Sequence, residues 1–118
     1  MLPKQYRLTR SKDFARNRRL GRSSGNRLVV LYVLPKPLDE TRVGFSVSKR
    51  VGKAVIRNRV KRRMREAVRH QVSALRTGQD LVFIARPASS GATYQQIEHS
   101  IAYVLDKTGA VLQLMGSA

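Results

Sequence analysis

Residues 54–75, AVIRNRVKRRMREAVRHQVSAL, constrain the fold more than any other stretch of the chain. At 100° per residue, Val60, Met64, Ala67, Val68, Gln71 and Leu75 fall in one stripe about 100° wide. Asn58, Arg59, Arg62, Arg65, Glu66 and Arg69 lie on the opposite side. The pattern predicts a long helix from about Ala54 to Leu75 that lays a narrow apolar stripe on the rest of the fold and holds a cationic face outward. Arg57 projects onto the apolar stripe. Either the regular helix starts near it, or its guanidinium reaches past the stripe to the helix rim.

The remaining elements are those that could receive such a stripe. Ser11 to Leu20 reads as a short helix, with Ser11 able to cap it, Asp13 in its first turn and Gly21 able to end it. Arg27 to Leu34 is rich in apolar and β-branched residues and reads as a strand stopped by Pro35; with both faces apolar, it is expected to be central and covered on both sides. After the loop PKPLDE, a second strand runs from Arg42 to Ser48. In it Val43, Phe45 and Val47 face the core and Gly44, Ser46 and Ser48 make a small polar face. Asp80 to Arg86 is a third buried strand, closed by Pro87. Thr93 followed by Gln96 fits a capping box before a helix Tyr94–Lys107, whose buried face is Ile97, Ile101, Val104 and Leu105 and which Gly109 ends. The tail VLQLM adds a short apolar turn. The order is α-β-β-α-β-α: an α/β sandwich with helices packed on a small central sheet, one domain over residues 1–118.

The charge is distributed unevenly. The net charge is +17, from 24 basic and 7 acidic residues. Residues 1–27 carry nine basics against Asp13, and residues 46–70 carry ten against Glu66; the rest of the chain is neutral. Like charge in such density costs folding free energy by self-repulsion, so it implies a polyanionic partner, and nucleic acid is the first candidate. Solvated helix faces usually interleave acids three or four residues from bases, and here Glu66 alone does so.

Several classes of chemistry are poorly supported. There is no cysteine, which removes disulfides and thiolate metal sites. The N-terminus has positive charges without an apolar run behind them, unlike a signal peptide, and no segment approaches membrane-spanning length, so the expected location is cytoplasmic. His70 sits on the edge of the basic helix and His99 in a helix that looks structural. Asp39 and Glu40 adjoin in a loop where a turn role is expected. No metal site in the protein alone, phosphate-binding glycine loop or nucleophile motif is visible, and no catalytic residue is assigned. DNA or RNA is open from composition. Tyr32, on the same strand face as Val30, and Phe14, among the basics of the first helix, could stack unpaired bases as single-stranded RNA binders do. Tyr32 could equally be ordinary core.

The run R-V-G-F-S-V-S-K-R-V-G-K-A-V-I-R-N-R-V-K-R-R-M-R-E closely resembles the signature of the bacterial ribonuclease P protein subunit, including its Arg-Asn-Arg motif at Arg57, Asn58 and Arg59. The likeness extends over nearly the whole chain, through the Ser-Lys-Asp-Phe helix start, the V-L-Y strand and the I-A-R-P strand end before a Thr-Tyr helix. The resemblance implies a protein partner of a catalytic RNA that removes the 5′ leader of precursor tRNA. The RNA would carry the chemistry with Mg²⁺, which it would bind for the most part itself; the protein alone would be inactive. It also implies a left-handed strand-helix-strand crossover, against the general right-handed preference.

Carried over by position, the resemblance places Arg57, Asn58, Arg59 and Arg62, with Lys49, Arg50 and Lys53, against the catalytic RNA. It places Phe14, Val30, Tyr32, Ser46, Lys61 and Arg65 in a cleft for the single-stranded leader. The family often has a second aromatic four residues after the first; this chain has Arg18, which replaces stacking with charge or cation–π contact. The partners expected are the catalytic RNA and precursor tRNA, with no membrane and no DNA. A ribosomal or ribosome-assembly protein would share the size and charge but would not require an apolar-floored cleft. A DNA reader would need short polar residues on its recognition helix, where this one offers mainly Arg and Lys.

Overall fold

The structure, a computed structural model, describes residues 7–37 and 40–111. Its elements in chain order are α1 (Ser11–Leu20), β1 (Arg22–Gly25), β2 (Val29–Pro35), β3 (Thr41–Ser46), α2 (Ala54–Arg69), β4 (Gln79–Ala85) and α3 (Tyr94–Thr108), with 3-10 turns at Val72–Ala74 and Pro87–Gly91. The expected order of helices and strands holds, and β1 is added to it.

The four strands lie in the order β1-β2-β4-β3. β2 pairs antiparallel with both β1 and β4, whereas β3 and β4 are parallel and joined through α2. The register places Tyr32 between Ser23 and Val82, and Ile84 between Val30 and Ser46. Because side chains alternate along a strand, one sheet face presents Val29, Leu31, Val33, Val43, Phe45, Leu81 and Phe83. These are buried with Val60, Met64 and Val68 of α2 and Ile97, Ile101, Val104 and Leu105 of α3. Phe45 and Phe83 stack across β3 and β4 with ring centroids 5.6 Å apart.

The opposite face departs from expectation. β2 is central, but α2 and α3 cover one side only; on the other, Val30, Tyr32 and Leu34 are half-buried. Here α1 packs against β2 and β4 and leaves part of the face open. Its footing is polar. Asn17, fully buried, donates from Nδ2 to the Asp80 carbonyl oxygen at 2.9 Å. Arg42 donates to both carboxylate oxygens of Asp80 at 3.0 and 2.9 Å and lies 3.5 Å from Asp13. Lys36 stands 3.7 Å from Asp80. The Arg42 guanidinium is raised above its ordinary pKa mainly by its hydrogen bond to Asp80.

Several boundaries and caps differ from expectation; the strand expected over Arg42 to Ser48 runs over Thr41–Ser46, and that expected over Asp80 to Arg86 over Gln79–Ala85. Ser11 does not cap α1: Arg10 holds the cap position without a side-chain bond, and Gly21 closes the helix in an extended conformation. The long helix ends at Arg69 rather than Leu75, with His70 as its cap; the chain turns through Val72–Ala74 and still buries Leu75. Arg27 and Leu28 belong to the turn before β2. The capping box formed by Thr93 and Gln96 is complete, and Gly109 ends α3 at φ 72°, a left-handed conformation that glycine adopts without strain. Of the expected apolar tail, Val111 pairs with Leu75, and residues 112–115 lie outside the described residues, as does Asp39.

Candidate nucleic-acid interface

The segment leading into α2 is shaped to present cations. Gly52 has φ 153°, and a Cβ there would come within 3.1–3.2 Å of three Ile56 side-chain carbons, so the turn Ser48–Lys53 is tight and glycine-dependent. Lys53 occupies the N-cap without a side-chain bond, and no acid stands in the first turn of the helix. Helix N-termini ordinarily attract acidic side chains. Placing Lys49, Arg50, Lys53 and Arg57 there sacrifices helix stability and leaves free backbone N–H groups beside a cation cluster. An external anion satisfies both.

The Arg-Asn-Arg motif divides into pinned and free residues. Arg57 lies within α2, so the regular helix begins before it. Its guanidinium folds back to the helix rim, where Nε donates to the Gly52 carbonyl at 3.1 Å. Arg59 donates to the Ser90 carbonyl at 3.0 Å and Arg63 to the Ala92 carbonyl at 2.7 Å, tying α2 to the Pro87–Gly91 turn. Asn58 and Arg62 are exposed and bound to nothing among the described residues. They border a groove of about 430 Å³ together with Lys61, Arg65 and Glu66. Glu66, the single acid of this block, is held down to about 2 by its hydrogen bond from Arg69. It therefore stays ionised at neutral pH and spends its charge on Arg69 and on His70, 3.4 Å away.

The six residues expected in one cleft fall into two hollows. Phe14, Lys61 and Arg65 border a hollow of about 230 Å³ with Arg7, Leu8 and Phe45. The Phe14 ring rests on the sheet because residue 44 is glycine: a Cβ there would meet the Phe14 Cζ at 2.5 Å and the Leu8 carbonyl at 3.0 Å. Val30, Tyr32 and Ser46 border a second hollow of about 550 Å³ beside α1, with Arg18, Arg50 and Arg86 around its rim. Tyr32 is half-buried and stands outside the hydrophobic core, so its ring forms part of an apolar floor open to solvent. Arg18 borders the same hollow. Lys61 and Arg65 border both the smaller hollow and the α2 groove, which joins the sheet side to the helix side. Arg50, grouped by the resemblance with the helix contacts, also reaches the sheet hollow. Ile84 and Arg86 were missed. β4 is buried as expected except at Ile84, which is half-buried, and Arg86 directly follows the strand.

An apolar floor with an aromatic ring and arginines around its rim, beside a cationic helix, has the chemistry used by proteins that bind single-stranded nucleic acid. The ribonuclease P family model matches residues 2–109. The ribonuclease P protein component of Clostridium acetobutylicum is 45% identical over 111 residues, covering 92% of this chain and 93% of that protein. The corresponding component of Alkaliphilus metalliredigens is 40% identical over 86% of this chain and 91% of its own length. Among solved structures, the Staphylococcus aureus RNase P protein superposes with a TM-score of 0.84 at 36% identity, covering 92% of this chain and 99% of that one. The Thermotoga maritima protein gives 0.77 at 28% identity, over 86% and 96%. This chain belongs to the ribonuclease P protein family.

Proposed function

We propose that this chain is the protein subunit of ribonuclease P, docking on the enzyme's RNA through the exposed cations of α2 and holding the 5′ leader of precursor tRNA on the open sheet face. The observation that supports the reading is the position of Lys61 and Arg65, which border both the α2 groove and the hollow beneath Phe14; Gly44, on which Phe14 rests, lies two residues along β3 from Ser46 of the sheet hollow. A phosphate chain passing Lys61 and Arg65 would meet Arg18, Arg50 and Arg86 around the sheet hollow, where the bases have an apolar floor at Val30, Tyr32 and Ile84. Arginine supplies paired donors to phosphate oxygens, and neutralising each phosphate releases condensed counterions.

The protein's part is binding and alignment. Among the described residues no group of three or more histidines or acids stands together to hold a metal ion. We assign Mg²⁺ and the hydrolysis of the phosphodiester to the RNA partner. No described helix is long and apolar enough to cross a membrane. The test is reconstitution: RNA-free, repurified protein leaves precursor tRNA intact, and adding the catalytic RNA of the same cell gives Mg²⁺-dependent cleavage at the mature 5′ end. Specific cleavage by RNA-free protein would overturn the division of labour.

A further inference from the structure

A further cavity lies on the α3 side of the sheet. About 660 Å³ in volume, it opens between the β1–β2 turn and α3, with Arg27, Leu28, Gln95, His99 and Tyr103 among its walls and no acid on them. Tyr103 is 50% exposed and carries the Lys107 ammonium 5.5 Å from its ring centroid. The side chains of Arg27, Gln95 and His99 have no hydrogen-bond or ion-pair partner among the described residues. The walls are nevertheless fixed. Asn26 accepts from the N–H groups of Leu28 and Val29 and donates to the Ser100 carbonyl, which ties the turn to α3.

The Gly25–Leu28 turn separates this cavity from the sheet hollow, which lies on the other face of the sheet. Ser46, Ile84, Val30 and Gly25 are successive cross-strand partners, a row spanning all four strands, or about 14 Å at the usual strand spacing. The first three border the hollow, and Gly25 borders the cavity. Arg86, on the rim of the hollow, donates to the Asn26 carbonyl at 3.2 Å and so stands at the passage between them.

We propose that the cavity is a second station for the same single strand: RNA leaving the sheet hollow over the Gly25–Leu28 turn lays a base against Tyr103, with its phosphates beside Arg27 and Arg86. A base needs a flat apolar wall and unpaired edge partners, which Tyr103 and Gln95 supply; its phosphate needs cations on the approach. The inference rests on the leader occupying the sheet hollow. The sites differ in which leader nucleotides they meet, since a strand laid first in the sheet hollow reaches the cavity with nucleotides farther along it.

The experiment uses holoenzyme and precursor tRNAs whose leaders are lengthened one nucleotide at a time. Wild-type affinity is expected to rise in two stages. Tyr103→Ala and Arg27→Ala, both at exposed positions, erase the second stage by about five- to tenfold, the lower part of the range for one stacked base, and leave short-leader binding unchanged. Tyr103→Phe retains it. Tyr32→Ala removes the first stage. Long leaders bound equally by wild type and both cavity variants, with Tyr32→Ala still impaired, would overturn the second station alone; the cavity would then be open to a protein partner. No effect of Tyr32→Ala at any leader length would overturn the sheet hollow as the first station, and with it the second station that rests on it.

Discussion

Arg59 and Arg62, one turn apart on α2, separate the two uses of arginine in this helix. Arg62 is exposed and bound to nothing among the described residues, so Arg62→Ala leaves stability within about 0.5 kcal/mol of wild type. Arg59 spends one N–H on the Ser90 carbonyl at 3.0 Å in a partly buried site. A hydrogen bond from a charged donor contributes about 1.5–3 kcal/mol. The Arg59 Nε is buried without a partner, which offsets part of that, so Arg59→Ala is expected to cost about 1 kcal/mol. For a domain of this size that is a drop of about 4 °C in Tm. Both variants are predicted to weaken docking on the catalytic RNA. Loss of one phosphate contact lowers the slope of log affinity against log salt by roughly 0.7–0.9. The assay pairs thermal melting of the free protein with RNA affinity over a salt series. An unchanged slope in Arg62→Ala would refute the claim that the exposed face of α2 contacts phosphate. An unchanged Tm in Arg59→Ala would refute the clamp on the Pro87–Gly91 turn.

Gly44→Ala places a methyl group 2.5 Å from the Phe14 ring and 3.0 Å from the Leu8 backbone, so α1 or the segment before it has to move; a cost of about 1–3 kcal/mol in chemical denaturation is expected, with leader binding impaired beyond the loss of folded protein. The Glu66 carboxyl is lowered from 4.5 to about 2 in the fold, so its contribution is present above pH 4.5 and is lost as pH falls toward 2. The Tm difference between wild type and Glu66→Gln is therefore predicted to shrink over that interval. It is also predicted to shrink with added salt, because the pair is exposed.

What the sequence made legible were the elements whose signal is local. The stripe Val60, Met64, Ala67 and Val68 on α2, the capping box at Thr93 and Gln96, and the stop at Gly109 depend on spacing along one segment, and all three stand in the structure. The strand β1 gave no such signal. Its residues, Arg-Ser-Ser-Gly, include nothing apolar or β-branched, and it is a strand because β2 offers a free edge. The apolar period continued through Gln71 and Leu75 although the helix had ended, since the 3-10 turn keeps Leu75 on the core. The open face of β2 was illegible for a longer-range reason. Val30, Tyr32 and Leu34 look like core by composition, and the seat of α1, tied down through Asn17 and Asp13, leaves part of that face uncovered. The division of the expected cleft into two hollows follows from the same seat, with Phe14 resting over Gly44.

The claim that the open sheet face holds the leader is tested most directly at Tyr32. The residue is half-buried and outside the core, so Tyr32→Ala is expected to cost less stability than the roughly 3–5 kcal/mol of a fully buried aromatic. A base stacked on its ring contributes about 1–3 kcal/mol. The measurement is holoenzyme affinity for precursor and for mature tRNA, in wild type, Tyr32→Ala and Tyr32→Phe, at one salt concentration and with melting curves for each protein. The account predicts a loss of that size for precursor with Tyr32→Ala, little change for mature tRNA, and a mild effect of Tyr32→Phe. Equal losses for the two RNAs, following a fall in Tm, would place Tyr32 in the packing of the fold and contradict the account.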